Sequence, residues 1–187
     1  MSSQARQDDF VLSLIDKGYF LDVGCYLPDK FNNSIKLEQN GWTGIAVDIK
    51  DYSKEWEDRS TPFIHADALT CDWSVMLWPG VIDYLSLDIE GMGNRFKALK
   101  RLVEVREFKI ITIEHDRYRD GHMEAEAIPQ RWLLTALGYH LLCKDVISDT
   151  RPFEDWWVNQ KYVSGYEHYQ SNGMQCDAIL KFLDNQK

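Results

Sequence analysis

Apolar positions along this chain recur with two periods, one helical and one extended or continuous, and the two kinds of segment alternate. Phe10, Val11, Leu14 and Ile15 share one helical face and predict a first helix over about 4–15, with Gly18 as its stop. An apolar run at 19–23 breaks at Gly24 and reads as a strand. A helix over about 31–39, closed by Asn40-Gly41, leads to a second strand at 43–48. Residues 51–59 are polar and predict a short exposed helix. Pro62-Phe63-Ile64-His65-Ala66-Asp67 and Val81-Ile82-Asp83-Tyr84-Leu85-Ser86-Leu87-Asp88 then predict two strands that both end in aspartate. Phe96, Leu99, Leu102 and Val103 place a helix over about 94–103. The β-branched run 109–113 delivers Glu114, His115 and Asp116 at its end, and a helix over about 125–137, stopped by Gly138, precedes a strand at 139–146. Strands alternating with helices predict an α/β fold: a doubly wound, mostly parallel sheet with helices on both faces. Such a sheet binds ligands at the carboxyl ends of its strands, where Asp48, Asp67, Asp88 and Glu114 to Asp116 fall.

Residues 148–187 break this rhythm. Trp156, Trp157, Tyr162, Tyr166 and Tyr169 crowd a weakly periodic segment, expected to pack in the core or, alternatively, to form a lid or substrate platform. Ala178 to Leu183 predicts a closing helix. With 187 residues, 44% hydrophobic and 13% aromatic, one domain over 1–187 is expected.

Charge narrows the partners. Lys and Arg number 21 against 30 Asp and Glu, so the net charge is −9 and the pI about 5.0. Phosphate backbones need clustered cations, and the densest group, Lys97, Lys100, Arg101 and Arg106, reads as the solvated face of a helix, so no nucleic-acid partner is expected. No apolar run approaches the roughly 20 residues of a membrane span, and Met1 to Asp9 lacks a basic-then-apolar signal layout. A cytoplasmic protein with no membrane partner is the expectation; a homo-oligomer is compatible with the sequence. Cys25, Cys71, Cys143 and Cys176 are scattered, which argues against a zinc ribbon, a redox pair or a disulfide framework.

The segment from Tyr19 to Asp48 carries the chemistry. An apolar strand, a glycine turn, a helix and a second strand ending in an acid form the order in which a doubly wound sheet holds an adenosine cofactor, with the acid on the ribose hydroxyls. A dinucleotide needs three glycines that let backbone N–H groups close on a pyrophosphate. Here Gly24 is followed by Cys25-Tyr26-Leu27-Pro28-Asp29-Lys30, in which a proline removes a donor and an aspartate opposes phosphate. S-adenosylmethionine has no phosphate and carries a cationic sulfonium, so a pocket rimmed by Asp22, Asp48, Asp67 and Asp88 suits it better.

Phe20-Leu21-Asp22-Val23-Gly24, then Pro28, Asn33-Ser34, Gly41-Trp42-Thr43-Gly44-Ile45-Ala46-Val47-Asp48 and Ile82-Asp83-Tyr84-Leu85-Ser86-Leu87-Asp88-Ile89-Glu90-Gly91 together resemble the FkbM-type S-adenosylmethionine-dependent methyltransferases. The similarity extends through Ile110-Ile111-Thr112-Ile113-Glu114 and Leu137-Gly138-Tyr139, over roughly 18–147. It implies the class I methyltransferase fold, Rossmann-like, with a seven-stranded sheet whose last strand is antiparallel, and methyl transfer to an oxygen of a small-molecule or carbohydrate acceptor. It also implies that Asp22 and Gly24 line the methionine part, Asp48 binds the ribose, Asp67 and Ala68 flank the adenine, and Asp88 and Glu90 face the reacting centre.

A hydroxyl acceptor needs a base. Glu90, Glu114, His115 and Asp116 are candidates, and His115 is favoured because histidine titrates nearest neutrality; His65 is expected in the core. Asp88, Glu90, Glu114, His115 and Asp116 could also gather Mg2+. Two rival readings are a non-catalytic nucleoside-binding module on the same fold and an NAD-dependent oxidoreductase, the latter disfavoured by the single loop glycine.

Overall fold

The computed structural model describes residues 3–76 and 80–185. In chain order the elements are α1 (Gln7–Leu14), β1 (Tyr19–Val23), α2 (Ile35–Gln39), β2 (Thr43–Asp48), β3 (Phe63–His65), β4 (Val81–Leu87), α3 (Asn94–Val105) and β5 (Glu107–Glu114). A π-helical turn (Met123–Ala127) runs into α4 (Ile128–Ala136). It is followed by β6 (Tyr139–Ser148), β7 (Arg151–Asn159), β8 (Ser171–Asn172) and α5 (Cys176–Asp184). The strands form one eight-stranded sheet in the order β3-β2-β1-β4-β5-β7-β6-β8.

From β1 the chain winds outward through β2 and β3, then returns to lay β4 on the other side of β1. That reversal opens a crevice between the loops after β1 and β4. β4 and β5 continue the parallel run, and β7 enters antiparallel between β5 and β6, with Ile111 opposite Trp157. The antiparallel strand is therefore the last long one, and the two-residue β8 adds a parallel edge to β6.

β1 is buried on both faces, as parallel strands under helices are. Successive side chains feed opposite layers. Leu21, Leu85, Ile111 and Trp157 pack with Ala98, Leu99 and Leu102 of α3 and Leu134 of α4. Phe20, Tyr84, Ile110 and Trp156 pack with Phe10 and Val11 of α1, Leu37 of α2 and Ile179 and Leu183 of α5. Trp156 and Trp157 are fully buried, so truncating either would cost about 3–5 kcal/mol. They are core residues, not a lid. Tyr162, Tyr166 and Tyr169 pack on the same second layer, and Tyr169 stacks on Phe182 with centroids 4.2 Å apart.

Several expectations move. α1 starts at Gln7 because Arg6 turns the backbone to φ 61°. α2 starts late because Asn32 gathers the amides ahead of it. Residues 51–59 form turns rather than a helix, and Trp56 is buried there, with Phe63 at 5.8 Å and Arg59 over its ring at 4.8 Å. His65 is exposed at the end of β3, its Nε2 3.0 Å from the Ile49 carbonyl, rather than in the core. No helix among the described residues is long and apolar enough to cross a membrane.

Candidate functional site

The crevice at the switch point holds a cavity of about 640 Å3, in the range that takes small ligands. Gly24 forms its floor. Its amide donates to the Val47 carbonyl at 2.8 Å and the Asp88 amide donates to the Val23 carbonyl at 2.9 Å, so the ends of β1, β2 and β4 are tied together. Gly24 sits at φ +84°, where a side chain is strained.

The loop after Gly24 is built from within. The side-chain Oδ1 of Asn32 accepts from the Ser34 and Ile35 amides at 3.0 and 2.9 Å, and its Nδ2 donates to the Cys25 carbonyl at 3.2 Å. These are the N-cap and first amides of α2, so two of the donors that a helix start could offer a phosphate are already taken. Arg59 clamps the loop from outside, donating to the Pro28 carbonyl at 2.6 Å and to Glu38 at 2.7 Å. Burial alone would raise Glu38, but bonds from Ser60, Arg59 and Thr61 hold it down at about 2.

Four aspartates line the cavity. Asp48, at the end of β2, accepts from the Tyr26 amide at 3.0 Å and from the Lys50 amide at 2.9 Å, which fixes its carboxylate. Asp67 accepts from the Leu69 amide at 2.8 Å, beside buried Ala68. Asp22 is buried, and its Oδ2 accepts no hydrogen bond among the described residues. Burial pushes its carboxyl up to about 6, against the hydroxyls of Ser86 and Ser34. Asp88 and Glu90, in the loop after β4, also line the cavity and are exposed.

Next to Asp88 lies Arg95, near the start of α3 and almost fully buried. Its Nη2 touches Glu114, lies 3.3 Å from Asp116 Oδ2 and 3.6 Å from Asp88 Oδ1. Burial pushes Glu114 upward, helped by its neighbour Asp88 and resisted by Arg95.

His115 does not join this group. It is fully buried on the other side of β5, with Nε2 3.3 Å from Asp155 and 3.6 Å from Asp145, and Nδ1 accepting the Arg117 amide at 3.2 Å. It lines neither the cavity nor its rim, so the sequence expectation of a catalytic base there is corrected: side chains alternate along a strand, and His115 takes the opposite side from Glu114 and Asp116.

Nor do the acids fit Mg2+. Arg95 sits where a cation would have to sit among Asp88, Glu114 and Asp116. The one cluster among the described residues with metal-like spacing, His115, Asp145 and Asp155, is already neutralised: Arg131 bonds Asp145 at 2.6 Å and Asp155 at 2.7 Å, and Arg117 reaches Asp145 at 2.5 Å. Burial raises Asp155, but His115 and Arg131 outweigh it and hold the carboxyl at about 2.

Sequence reasoning overlooked several cavity residues. Gln4 and Gln7 arrive from the N-terminal segment with no local signal, whereas Ile49 directly follows Asp48 and Asn33 stands in the quoted motif. Asn33 donates to Ser86 at 2.9 Å. Arg95 had a readable signal: it shares a helical face with Ala98, Leu99 and Leu102, and a cation on an apolar face is unusual.

No family model and no curated protein matches the sequence. Solved structures do match in shape. A Clostridium thermocellum protein whose name assigns it as an rRNA methylase aligns with TM-score 0.59 at 14% identity, over 84% of this chain and 96% of its own. The Burkholderia thailandensis 1,6-didemethyltoxoflavin-N1-methyltransferase, with bound 1,6-didemethyltoxoflavin and S-adenosylhomocysteine, aligns with TM-score 0.54 at 15% identity, over 83% and 76%. A SAM-dependent methyltransferase from Archaeoglobus fulgidus aligns with TM-score 0.51 at 14% identity, over 98% and 85%. At such identity the likeness defines the fold, which is the class I methyltransferase fold.

Proposed function

We propose that this protein is an S-adenosylmethionine-dependent methyltransferase of the FkbM type acting on a hydroxyl of a small-molecule or carbohydrate acceptor. The observation that carries the reading is the acidic cavity at the switch point: Asp48 fixed by two amides at the end of β2, and Asp22 with an unpaired buried oxygen at the end of β1. The donor set fits the cofactor. Asp48 would hold the ribose hydroxyls, Asp67, Ala68 and Ile49 would surround the base, and Asp22 would face the amino group, which brings the positive charge that its buried oxygen lacks.

When bound, the sulfonium supplies an electrophilic methyl carbon: the acceptor oxygen bonds to it as the carbon–sulfur bond breaks, and a neutral thioether leaves. The protein's share is to position the hydroxyl and take its proton. With His115 turned away and Asp22, Asp48 and Asp67 assigned to the cofactor, Glu90 and Asp88 are the remaining carboxylates that line the cavity, and Glu90 is the stronger candidate because it has no arginine partner among the described residues, whereas Asp88 faces Arg95. The NAD reading is weaker here, since Asn32 already takes the Ser34 and Ile35 amides at the start of α2 and the loop carries a single glycine.

Calorimetry with S-adenosylmethionine, S-adenosylhomocysteine and NAD tests the proposal. Heat with the first two and none with NAD is expected; the reverse pattern overturns it. Binding without turnover on any hydroxylated acceptor would leave a nucleoside-binding module.

A further inference from the structure

A second cleft of about 280 Å3 adjoins the first cavity, and Gln4 lines both. Gln4 is tied to the far wall, where Ser148 donates to its carbonyl at 3.3 Å. Arg95 stands between the two spaces, its Nη2 reaching Asp88 of the first and Glu114 and Asp116 of the second.

Asp116 is the informative residue. It is 1% exposed and lines the cleft, and its Oδ2 lies 3.3 Å from both Arg95 and Arg119. Its Oδ1 has no hydrogen-bond partner among the described residues, and neither do Nε and Nη1 of Arg95. A buried polar atom left unpaired costs about 1–3 kcal/mol. Arg119 pairs with Asp116 and Arg95 is shared among Asp116, Glu114 and Asp88, so Asp116 already has its cations and lacks a neutral donor at Oδ1. An ammonium can only donate and a carboxylate can only accept. A hydroxyl can donate to Oδ1 and also accept from a guanidinium N–H. Farther out the cleft presents the hydroxyls of Ser148 and Thr150 and the guanidinium of Arg151, which lies over the Tyr118 ring at 5.0 Å.

We infer that this cleft binds a neutral polyhydroxylated ligand, of the sugar-ring or cyclitol class, with one hydroxyl at Asp116 Oδ1. The inference deepens the proposed methyl transfer and rests on it for the ligand's role as methyl acceptor; the binding itself does not depend on that reading.

The test is saturation-transfer NMR and calorimetry on the full chain with methyl glucoside, methyl galactoside, methyl mannoside and myo-inositol, against glucosamine and glucuronate as charged controls. Each is titrated with and without S-adenosylhomocysteine. At least one neutral polyol should bind. Asp116→Asn, which suits the left-handed backbone at φ 48°, and Thr150→Val should each weaken that binding by about fivefold or more, the equivalent of one neutral hydrogen bond. Cofactor affinity should stay within a few-fold. Should Asp116→Asn fail to fold, Thr150→Val decides, because Thr150 is exposed. Saturation by no neutral polyol, binding only of a charged control, or variants that bind like the parent would each overturn the inference. Polyol binding in a protein that ignores S-adenosylhomocysteine would overturn the methyltransferase reading and leave the cleft assignment standing.

Discussion

Gly24 and Asp88 lie so close that a methyl group on Gly24 would sit 1.7 Å from the Asp88 carbonyl oxygen. That oxygen belongs to backbone and cannot swing aside, and the same methyl would also be strained at φ +84°. Gly24→Ala should therefore cost at least about 2 kcal/mol, which is roughly 4–8 °C in melting temperature for a chain of this size. It should also widen the joint between β1 and β4 and weaken S-adenosylhomocysteine binding. Calorimetric melting with a parallel titration checks both, and a variant unchanged in either would mean that this joint relaxes more easily than its geometry indicates.

Asp48→Ala should weaken cofactor binding by about 10–100-fold, since a charge-assisted hydrogen bond is worth roughly 1.5–3 kcal/mol and the carboxylate can make two to a ribose. Asp48 also accepts from the Tyr26 and Lys50 amides, so Asp48→Asn, which keeps one acceptor oxygen, separates the roles. It should recover part of the stability lost in the alanine variant and little of the affinity. Recovery of both together would make Asp48 a loop anchor alone.

His115→Ala should act on stability. It leaves a cavity and removes a partner of Asp155 in a fully buried network, costing about 2–4 kcal/mol, with cofactor affinity kept within a few-fold. Glu90→Gln should do the opposite, lowering turnover by about 10²–10⁴ as loss of a general base does, with little change in melting. A stable His115→Ala enzyme with that loss of rate would restore the histidine as base.

Burial pushes Asp22 up to about 6 and Glu154 up to about 8, the latter despite bonds from Trp156 at 2.6 Å and Gln7 at 3.1 Å. Both folded values exceed the unfolded ones, so the folded state holds these protons more tightly. Their stabilising contribution is complete below about pH 4 and is lost as pH rises through about 6 and then about 8. The ligand-free protein should melt progressively lower between about pH 4 and 8, and Glu154→Gln should flatten the upper part of that fall. S-adenosylhomocysteine affinity should rise through about pH 6 as Asp22 ionises to meet the ligand's ammonium. A melting temperature that climbs steadily over the same range would contradict both assignments.

The strands read most clearly from sequence are those whose residues are apolar on both faces: β1, β2, β4 and β5 are near-continuous runs because helices cover both sides. β7 escaped notice for a physical reason. Arg151-Pro152-Phe153-Glu154-Asp155 carries no apolar run, yet Glu154 and Asp155 are buried, kept there by neighbouring Trp156 and by Gln7, His115 and Arg131 from distant parts of the chain. Local pattern does not see such partners. The aspartates of the cavity were legible because each closes a strand. The side taken by His115 follows from alternation along β5 but becomes visible only once Glu114 is known to face Arg95.

The placement of β7 bears on the order in which the molecule can be assembled. β6 has no hydrogen-bonded link to β5 except through β7, which is synthesised after both. While the chain emerges from a ribosome, β5 and β6 therefore present unpaired edges until Asn159 is available, and Ile110 to Ile113 forms a β-branched run suited to pairing with another molecule. The late strand that completes the sheet is also the one that ends this exposure, so slowing translation between β6 and β7 should raise aggregation more than the same pause placed after β7.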